Sequence, residues 1–129
     1  MLILDTHALF WWVNQTPGKL SAKQIAATET ADLLEISAIT CWEMAWLVKH
    51  DRIALKMPVA AWLDEVERSG IRVLPVTRPI ALRAVELAEH HKDPADRIII
   101  ATAVEHQARL VSVDERFPLY QELAGLLVG

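Results

Sequence analysis

Short apolar runs alternate along this chain with longer segments of helical periodicity, and this alternation strongly limits the possible folds. The apolar runs predict buried strands at residues 2–4, 33–36, 71–76 and 110–113, with a short edge strand at 126–128. Helices are predicted at residues 6–13, 21–28, from 37 or 40 to about 50, 58–69 and 79–91, and a last one begins at Asp93. Strands that alternate with helices in this way form a parallel sheet covered by helices on both faces.

The length and composition predict one α/β domain that spans residues 1–129. Hydrophobic residues make up 53% of the 129 residues, which is enough for a proper core, and no internal repeat or linker interrupts the pattern. The net charge of −4 without a basic block does not advertise nucleic-acid binding, although a local basic patch stays compatible with it. Cys41 is the only cysteine, and no apolar run approaches the roughly 20 residues of a membrane span. We expect a soluble, cytoplasmic protein.

Acidic residues follow the ends of the predicted strands. Asp5 comes directly after the first strand and Asp114 directly after the fourth, so a parallel sheet places both at the same edge. Glu43 lies about two turns into the helix after the second strand, within reach of that edge. Asp96 lies in the first turn of its helix, and topology alone does not place it.

Each acid also has an ordinary explanation. Asp5 and Asp114 can cap the turns that follow them, and "DPAD" from Asp93 to Asp96 reads as a helix start. Glu43 is harder to explain, because its helical neighbours are apolar and no cation stands three or four residues further on. Carboxylates that converge repel one another, and a hard cation such as Mg²⁺ or Mn²⁺ relieves that repulsion.

Four motifs, in this order and spacing, resemble the PIN domain, and in particular the VapC-like ribonuclease toxins of type II toxin–antitoxin systems. They are "LDTHALFWW", "ISAITCWEMA", "KDPADRIIIATA" and "LVSVDERF", and together they run from Leu4 to Phe117. Each motif is weak by itself, whereas the set of four is specific. Two features depart from the family pattern: Glu35 interrupts the second strand, and the tail "LYQELAGLLVG" matches poorly.

The resemblance implies a three-layer α/β/α fold with a central parallel sheet of four or five strands. It implies Mg²⁺- or Mn²⁺-dependent endoribonucleolytic cleavage by metal-activated water, a cognate antitoxin and a homodimeric toxin. The four residues of the family's catalytic and metal-binding site map onto Asp5, Glu43, Asp96 and Asp114. Two hydroxyl residues, Thr6 and Ser112, match supporting positions.

Other polar residues receive weaker assignments. Arg97 and Arg116 stand beside site motifs and are our candidates for contacting RNA phosphates, while Asp93 is expected to cap its helix or lie in the outer shell of the metal. The histidines lack a pair at helical i, i+4 spacing, and there is no second cysteine, so a zinc site is not predicted. Five tryptophans suit core packing and also a groove for an amphipathic partner helix.

Two rival functions remain open at this point. The first is a phosphoryl-transfer enzyme with Asp5 as nucleophile, although such enzymes need a second acid where this chain has His7. The second is a non-catalytic interaction domain on the same scaffold, against which the retention of all four acids speaks.

Overall fold

Five strands form one parallel sheet in the computed structural model, which describes residues 1–129. They are β1 (Leu2–Leu4), β2 (Leu34–Ser37), β3 (Arg72–Leu74), β4 (Arg109–Val111) and β5 (Leu127–Val128). Their order across the sheet is β3-β2-β1-β4-β5, and every neighbouring pair is parallel. The predicted parallel sheet is confirmed, and its fifth strand lies at the edge where 126–128 was expected.

Six helices connect the strands and begin close to their predicted starts. They are α1 (Thr6–Asn14), α2 (Ala22–Thr30), α3 (Ala38–Lys49), α4 (Val59–Arg68), α5 (Arg78–Glu86) and α6 (Pro94–His106). Five of the six have a side chain at the N-cap that accepts a backbone N–H of the first turn; these caps are Asp5, Ser21, Ser37, Thr77 and Asp93. The starts were readable from the sequence because such caps are short polar residues at defined positions.

The sheet separates two hydrophobic cores, and this confirms the three-layer α/β/α fold. Side chains alternate along a strand, so Leu2 and Leu4 of β1 face one core and Ile3 faces the other. The first core includes residues of α1, α2 and α4, and the second includes residues of α5, α6 and the tail after β4. No helix has the length and apolar character needed to cross a bilayer.

The largest difference from the predicted elements lies at the end of α5. The helix was expected to reach residue 91 but ends at Glu86, and Val85 of its supposed apolar face is 78% exposed. The carbonyls of Leu87, Ala88 and His91 instead accept hydrogen bonds from the buried guanidinium of Arg97. A charged donor buried nearby stabilises this irregular backbone, which a local periodicity cannot reveal.

Glu35 lies within β2 and is fully buried, although the sequence suggested a break in the strand. Neither carboxylate oxygen has a hydrogen-bond partner. The parallel register places Arg72 of β3 beside it, with 3.7 Å between Arg72 Nε and Glu35 Oε2. The positive charge of Arg72 offsets part of the cost of burying the Glu35 carboxylate.

Candidate functional site

The site lies where the direction of strand addition reverses, at the carboxyl ends of β1 and β4. In open parallel sheets this position leaves a crevice that commonly binds ligands. Asp5 follows β1, and Asp114 lies just beyond the end of β4. Glu43 on α3 and Asp96 on α6 line the same open cleft, which has a volume of about 1140 Å³. The structure therefore brings the four acids predicted from the sequence to one cleft.

Asp5 is buried and combines two roles that the sequence left as alternatives. Its Oδ1 atom accepts the backbone N–H of Ala8 at 2.9 Å, so it is the N-cap of α1. The cap fixes the carboxylate at the floor of the cleft. Burial raises the pKa of Asp5 to about 6, although hydrogen bonds from Ser112 and Ala8 act in the opposite direction.

Glu43 is held by a hydroxyl and not by a cation. Thr6 donates its hydroxyl hydrogen bond to Glu43 Oε1, and Thr6 Oγ1 lies 3.1 Å from Thr40 Oγ1. Burial raises the pKa of Glu43, with the hydrogen bond from Thr6 opposing the shift and the charge of Asp93 adding to it. Thr6 thus ties the start of α1 to α3 beside the cleft.

Asp96 and Asp114 converge on a histidine that the sequence reasoning missed. Nε2 of His91 lies 2.9 Å from Asp96 Oδ2 and 2.9 Å from Asp114 Oδ2, and these three atoms lie within 4.8 Å of one another. The ring is almost completely buried, with 4% of the residue exposed. In the sequence, the one sign of this role was that His91 lies two residues before Asp93. A helix was expected over residues 79–91, so the loop that turns the ring toward the acids was not foreseen.

The two aspartates that contact His91 have opposite electrostatic surroundings. Burial, followed by the charge of Glu43 and of the other acids, raises the pKa of Asp96 to about 8. Burial also acts to raise the pKa of Asp114. The hydrogen bonds with the backbone N–H of Arg116 and with His91 outweigh this effect and bring the pKa below the ordinary value. A carboxylate centre in which three of the four predicted acids have raised pKa values is one that lacks compensating positive charge.

Ser112 lies between the two strand-end aspartates. Its hydroxyl oxygen accepts the backbone N–H of Asp114 at 3.1 Å, and its side chain acts to lower the pKa of Asp5 against the effect of burial. The Ser112 carbonyl accepts the side-chain amide of Gln24 at 3.0 Å, and the same amide nitrogen donates to the Val128 carbonyl at 3.1 Å. Gln24 was not singled out from the sequence, yet it ties α2 to this edge of the sheet.

Asp93 is the N-cap of α6, because its Oδ1 atom accepts the N–H of Ala95 at 2.9 Å. It also lines the cleft, so its carboxylate adds negative charge near the site. The predicted separation of the two aspartates of this segment agrees with the geometry: Asp93 starts the helix, and Asp96 faces the other acids.

The expectation that Arg97 contacts RNA is not supported by its position. Its guanidinium is buried and donates to four backbone carbonyls, those of Leu87, Ala88, His91 and Val85. These bonds hold the loop between α5 and α6 and leave little of the group for phosphate, so its role is structural. Arg116 is different, because its side chain is exposed beside Asp114.

The walls of the cleft combine indole rings with exposed cations. Trp11, Trp42 and Trp46 line it, and Trp42 is 58% exposed. Arg52 and Lys92 also line the cleft and are exposed. Apolar surface next to cations around an acidic floor is suited to a charged polymer or to an amphipathic partner.

Comparison with known proteins shows which family this chain belongs to. The sequence profile of the PIN domain matches residues 2–123. The chain belongs to the PIN domain family. This PIN domain is also 41% identical over 116 residues to Ribonuclease VapC22 of Mycobacterium tuberculosis. The aligned region covers 89% of this chain and 88% of that protein. The resemblance seen in the four motifs is thereby confirmed.

Solved structures of lower identity share the PIN fold. The VapBC2 complex of Rickettsia felis, bound to a DNA fragment from its promoter, includes a chain that matches with a TM-score of 0.70 at 18% identity, covering 98% of this chain and 96% of that one. A toxin–antitoxin complex from Klebsiella pneumoniae matches with a TM-score of 0.64 at 21% identity, covering 100% and 97%. At such identities these matches show the fold alone.

The raised pKa values predict how the stability of this PIN domain depends on pH. In EDTA, we expect the free energy of unfolding to decrease as the pH rises from about 4.5 to about 8. The ordinary value for aspartate is 3.8, whereas the folded-state pKa is about 6 for Asp5 and about 8 for Asp96. Within this window the folded protein binds more protons than the unfolded chain, so deprotonation favours unfolding. The expected loss is several kcal/mol, since one pKa unit corresponds to about 1.4 kcal/mol and the two shifts together span several units.

Urea denaturation at pH 4.5, 6 and 8 measures this dependence. The pKa of Asp114 is lowered, so its contribution to stability has the opposite sign. The chosen pH window begins above the pH range in which Asp114 makes that contribution. The variant Asp96→Asn should lose much of the slope. Stability that increases between pH 4.5 and pH 8 in the wild-type protein would contradict the prediction.

Proposed function

We propose that this PIN domain is a metal-dependent endoribonuclease and the toxin of a type II toxin–antitoxin system. The observation that carries the proposal is the convergence of Asp5, Glu43, Asp96 and Asp114 on one cleft, three of them with raised pKa values. The curated relative that shares 41% of its residues is named a ribonuclease, and the structural neighbours are toxin–antitoxin complexes.

The donor set fits a hard divalent cation. Carboxylate oxygens are the preferred ligands of Mg²⁺ and Mn²⁺, and their mutual repulsion provides a reason to bind one. Asp5, Asp96 and Asp114 would hold the ion, with Glu43 at a second ion or beside the attacking water. The ion would supply Lewis acidity, which lowers the pKa of a coordinated water and offsets charge on the reacting phosphate.

The residues of this chain orient the carboxylates and the substrate. The cap bond from Ala8 fixes Asp5, the hydroxyl of Thr6 fixes Glu43, and the backbone N–H of Arg116 fixes Asp114. The exposed side chains of Arg52, Lys92 and Arg116 are available for RNA phosphates near this centre. We therefore propose that these residues, and not Arg97, contact the RNA phosphates.

The partners and the organisation of the protein belong to the same proposal. The tryptophans of the cleft wall provide apolar surface for a cognate antitoxin, and a homodimer is expected from the resemblance. Residues 1–129 act as one domain in the cytoplasm. A phospho-aspartyl mechanism at Asp5 fits the geometry less well, because this carboxylate is buried and caps α1.

Cleavage of RNA by the purified protein tests the proposal. We expect endonucleolytic products with Mg²⁺ or Mn²⁺, none in excess EDTA, and none from Asp5→Asn, because a neutral amide cannot replace the carboxylate charge at the ion. Gel analysis of a labelled RNA pool measures the products. Equal cleavage in EDTA would exclude the metal mechanism, and a folded wild-type protein that neither binds a divalent ion nor cleaves RNA would favour the non-catalytic interaction domain.

A further inference from the structure

His91 is held through both its backbone and its ring, which makes the orientation of the ring informative. Its backbone N–H donates to the hydroxyl of Tyr120 at 2.8 Å, and its carbonyl accepts from Arg97 at 3.0 Å. The ring packs edge-on against Phe117, with 6.0 Å between the ring centroids. A buried ring held in this way presents one nitrogen to the acids and cannot readily turn away.

The other ring nitrogen determines where the proton lies. The backbone N–H of Asp93 donates to His91 Nδ1 at 3.2 Å. A backbone amide can only donate, so Nδ1 must carry a lone pair, and the neutral ring then carries its proton on Nε2. A proton on Nδ1 would point at the N–H of Asp93.

The Nε2–H group faces the carboxylate of Asp114. Nε2 and Asp114 Oδ2 lie 2.9 Å apart with hydrogen-bonding geometry, and the other oxygen of Asp114 accepts the N–H of Arg116 at 2.8 Å. Both oxygens of this partly exposed side chain are therefore held by donors. Asp96 Oδ2 lies equally close to Nε2, at 2.9 Å.

We propose that His91 is a positioning residue, which holds Asp114 beside Asp96 through its Nε2–H, and that it is not itself a metal ligand. A ligand nitrogen needs a lone pair on Nε2, and the hydrogen bond from Asp93 leaves that lone pair on Nδ1 instead. Donors behind metal-binding carboxylates fix their orientation, and their loss commonly weakens metal binding about 10- to 100-fold. The part of this inference that concerns the metal rests on the proposed function.

The tautomer can be observed directly in the metal-free protein. Long-range ¹H–¹⁵N correlation spectra of the histidine rings distinguish a protonated Nε2 from a protonated Nδ1. We expect the Nε2–H form for His91, identified by the signals that disappear in His91→Asn. An Nδ1–H ring would overturn the assignment, whether or not the protein binds metal.

Two substitutions separate the two nitrogens of the ring. Asparagine places a carbonyl oxygen near the position of Nδ1 and can still accept the Asp93 N–H, but it has no donor near Nε2. Glutamine places its amide nitrogen near Nε2 and keeps a donor for Asp114. We expect His91→Asn to weaken the binding of Mg²⁺ and of Mn²⁺ by the same factor, about 10- to 100-fold, and His91→Gln to lose less than about tenfold.

Calorimetric titration of the folded variants measures these affinities, with thermal unfolding as the test of folding and His106→Gln, an exposed histidine at the end of α6, as the matched control. Unchanged binding in His91→Asn would overturn the positioning role. A loss that is at least roughly tenfold larger for Mn²⁺ than for Mg²⁺ would identify His91 as a nitrogen ligand, because imidazole favours the transition metal. A wild-type protein that binds neither ion contradicts the proposed function, and the ring spectra then decide the hydrogen bond of His91 independently.

Discussion

Replacement of Asp96 by asparagine is expected to abolish RNA cleavage while the protein remains folded. The carboxylate of Asp96 is the one whose pKa is raised furthest, to about 8, because burial and the surrounding acids disfavour its charge. A divalent cation would reverse that penalty, and the charge of Asp96 is then needed to hold it. The loss of one such carboxylate should lower the cleavage rate by about 100-fold or more, which corresponds to roughly 3 kcal/mol of transition-state stabilisation.

Single-turnover cleavage at saturating Mg²⁺ measures the rate, and urea denaturation in EDTA measures the fold. In EDTA the variant should be at least as stable as the wild type, because a neutral amide carries no repulsive charge among the other acids. Loss of activity together with loss of folding would not support a role in the site.

Asp93→Asn is the matched control from the same turn of α6. Asparagine is as good an N-cap as aspartate, and the cap bond to Ala95 can be retained. We expect activity within about threefold of wild type, since Asp93 acts at the helix start. A variant of Asp93 that is inactive, together with an active variant of Asp96, would show that the two roles are exchanged.

Replacement of Arg97 by methionine is expected to destabilise the protein by about 2–4 kcal/mol, because hydrogen bonds from a buried charged group are strong and their carbonyl partners would be left unsatisfied. The guanidinium holds the carbonyls of Leu87, Ala88 and His91, and these define the loop that presents the His91 ring to the site. Methionine fills a similar volume and cannot donate. Metal affinity should therefore decrease together with stability.

Denaturation in urea with calorimetric titration of Mg²⁺ measures both effects. Arg116→Met is the control, because Arg116 is exposed and its replacement should change the free energy of unfolding by less than about 0.5 kcal/mol. If Arg97→Met is as stable as wild type but binds RNA more weakly, the original assignment of Arg97 to RNA binding was correct.

The sequence predicted most of the fold because the relevant signals are local. Strands appear as apolar runs such as Leu2–Leu4, and helix starts appear as caps such as Ser21 and Asp93. A parallel sheet also carries Asp5 and Asp114 to a shared edge, because both follow strands that run in the same direction. Asp96 could not be placed by that rule, and the motif resemblance supplied its assignment.

The sequence by itself determined the α/β class, the positions of the helix starts and the identity of the four acids of the cleft. Only the tertiary structure decided that α5 ends at Glu86, that Arg97 is buried and that His91 faces Asp96 and Asp114. The reason is that these features depend on one guanidinium, whose carbonyl partners lie 6 to 12 residues before it along the chain. Hydrophobic periodicity indicates which side of a helix is apolar. It does not indicate which backbone carbonyls will accept hydrogen bonds from a charged side chain elsewhere in the sequence.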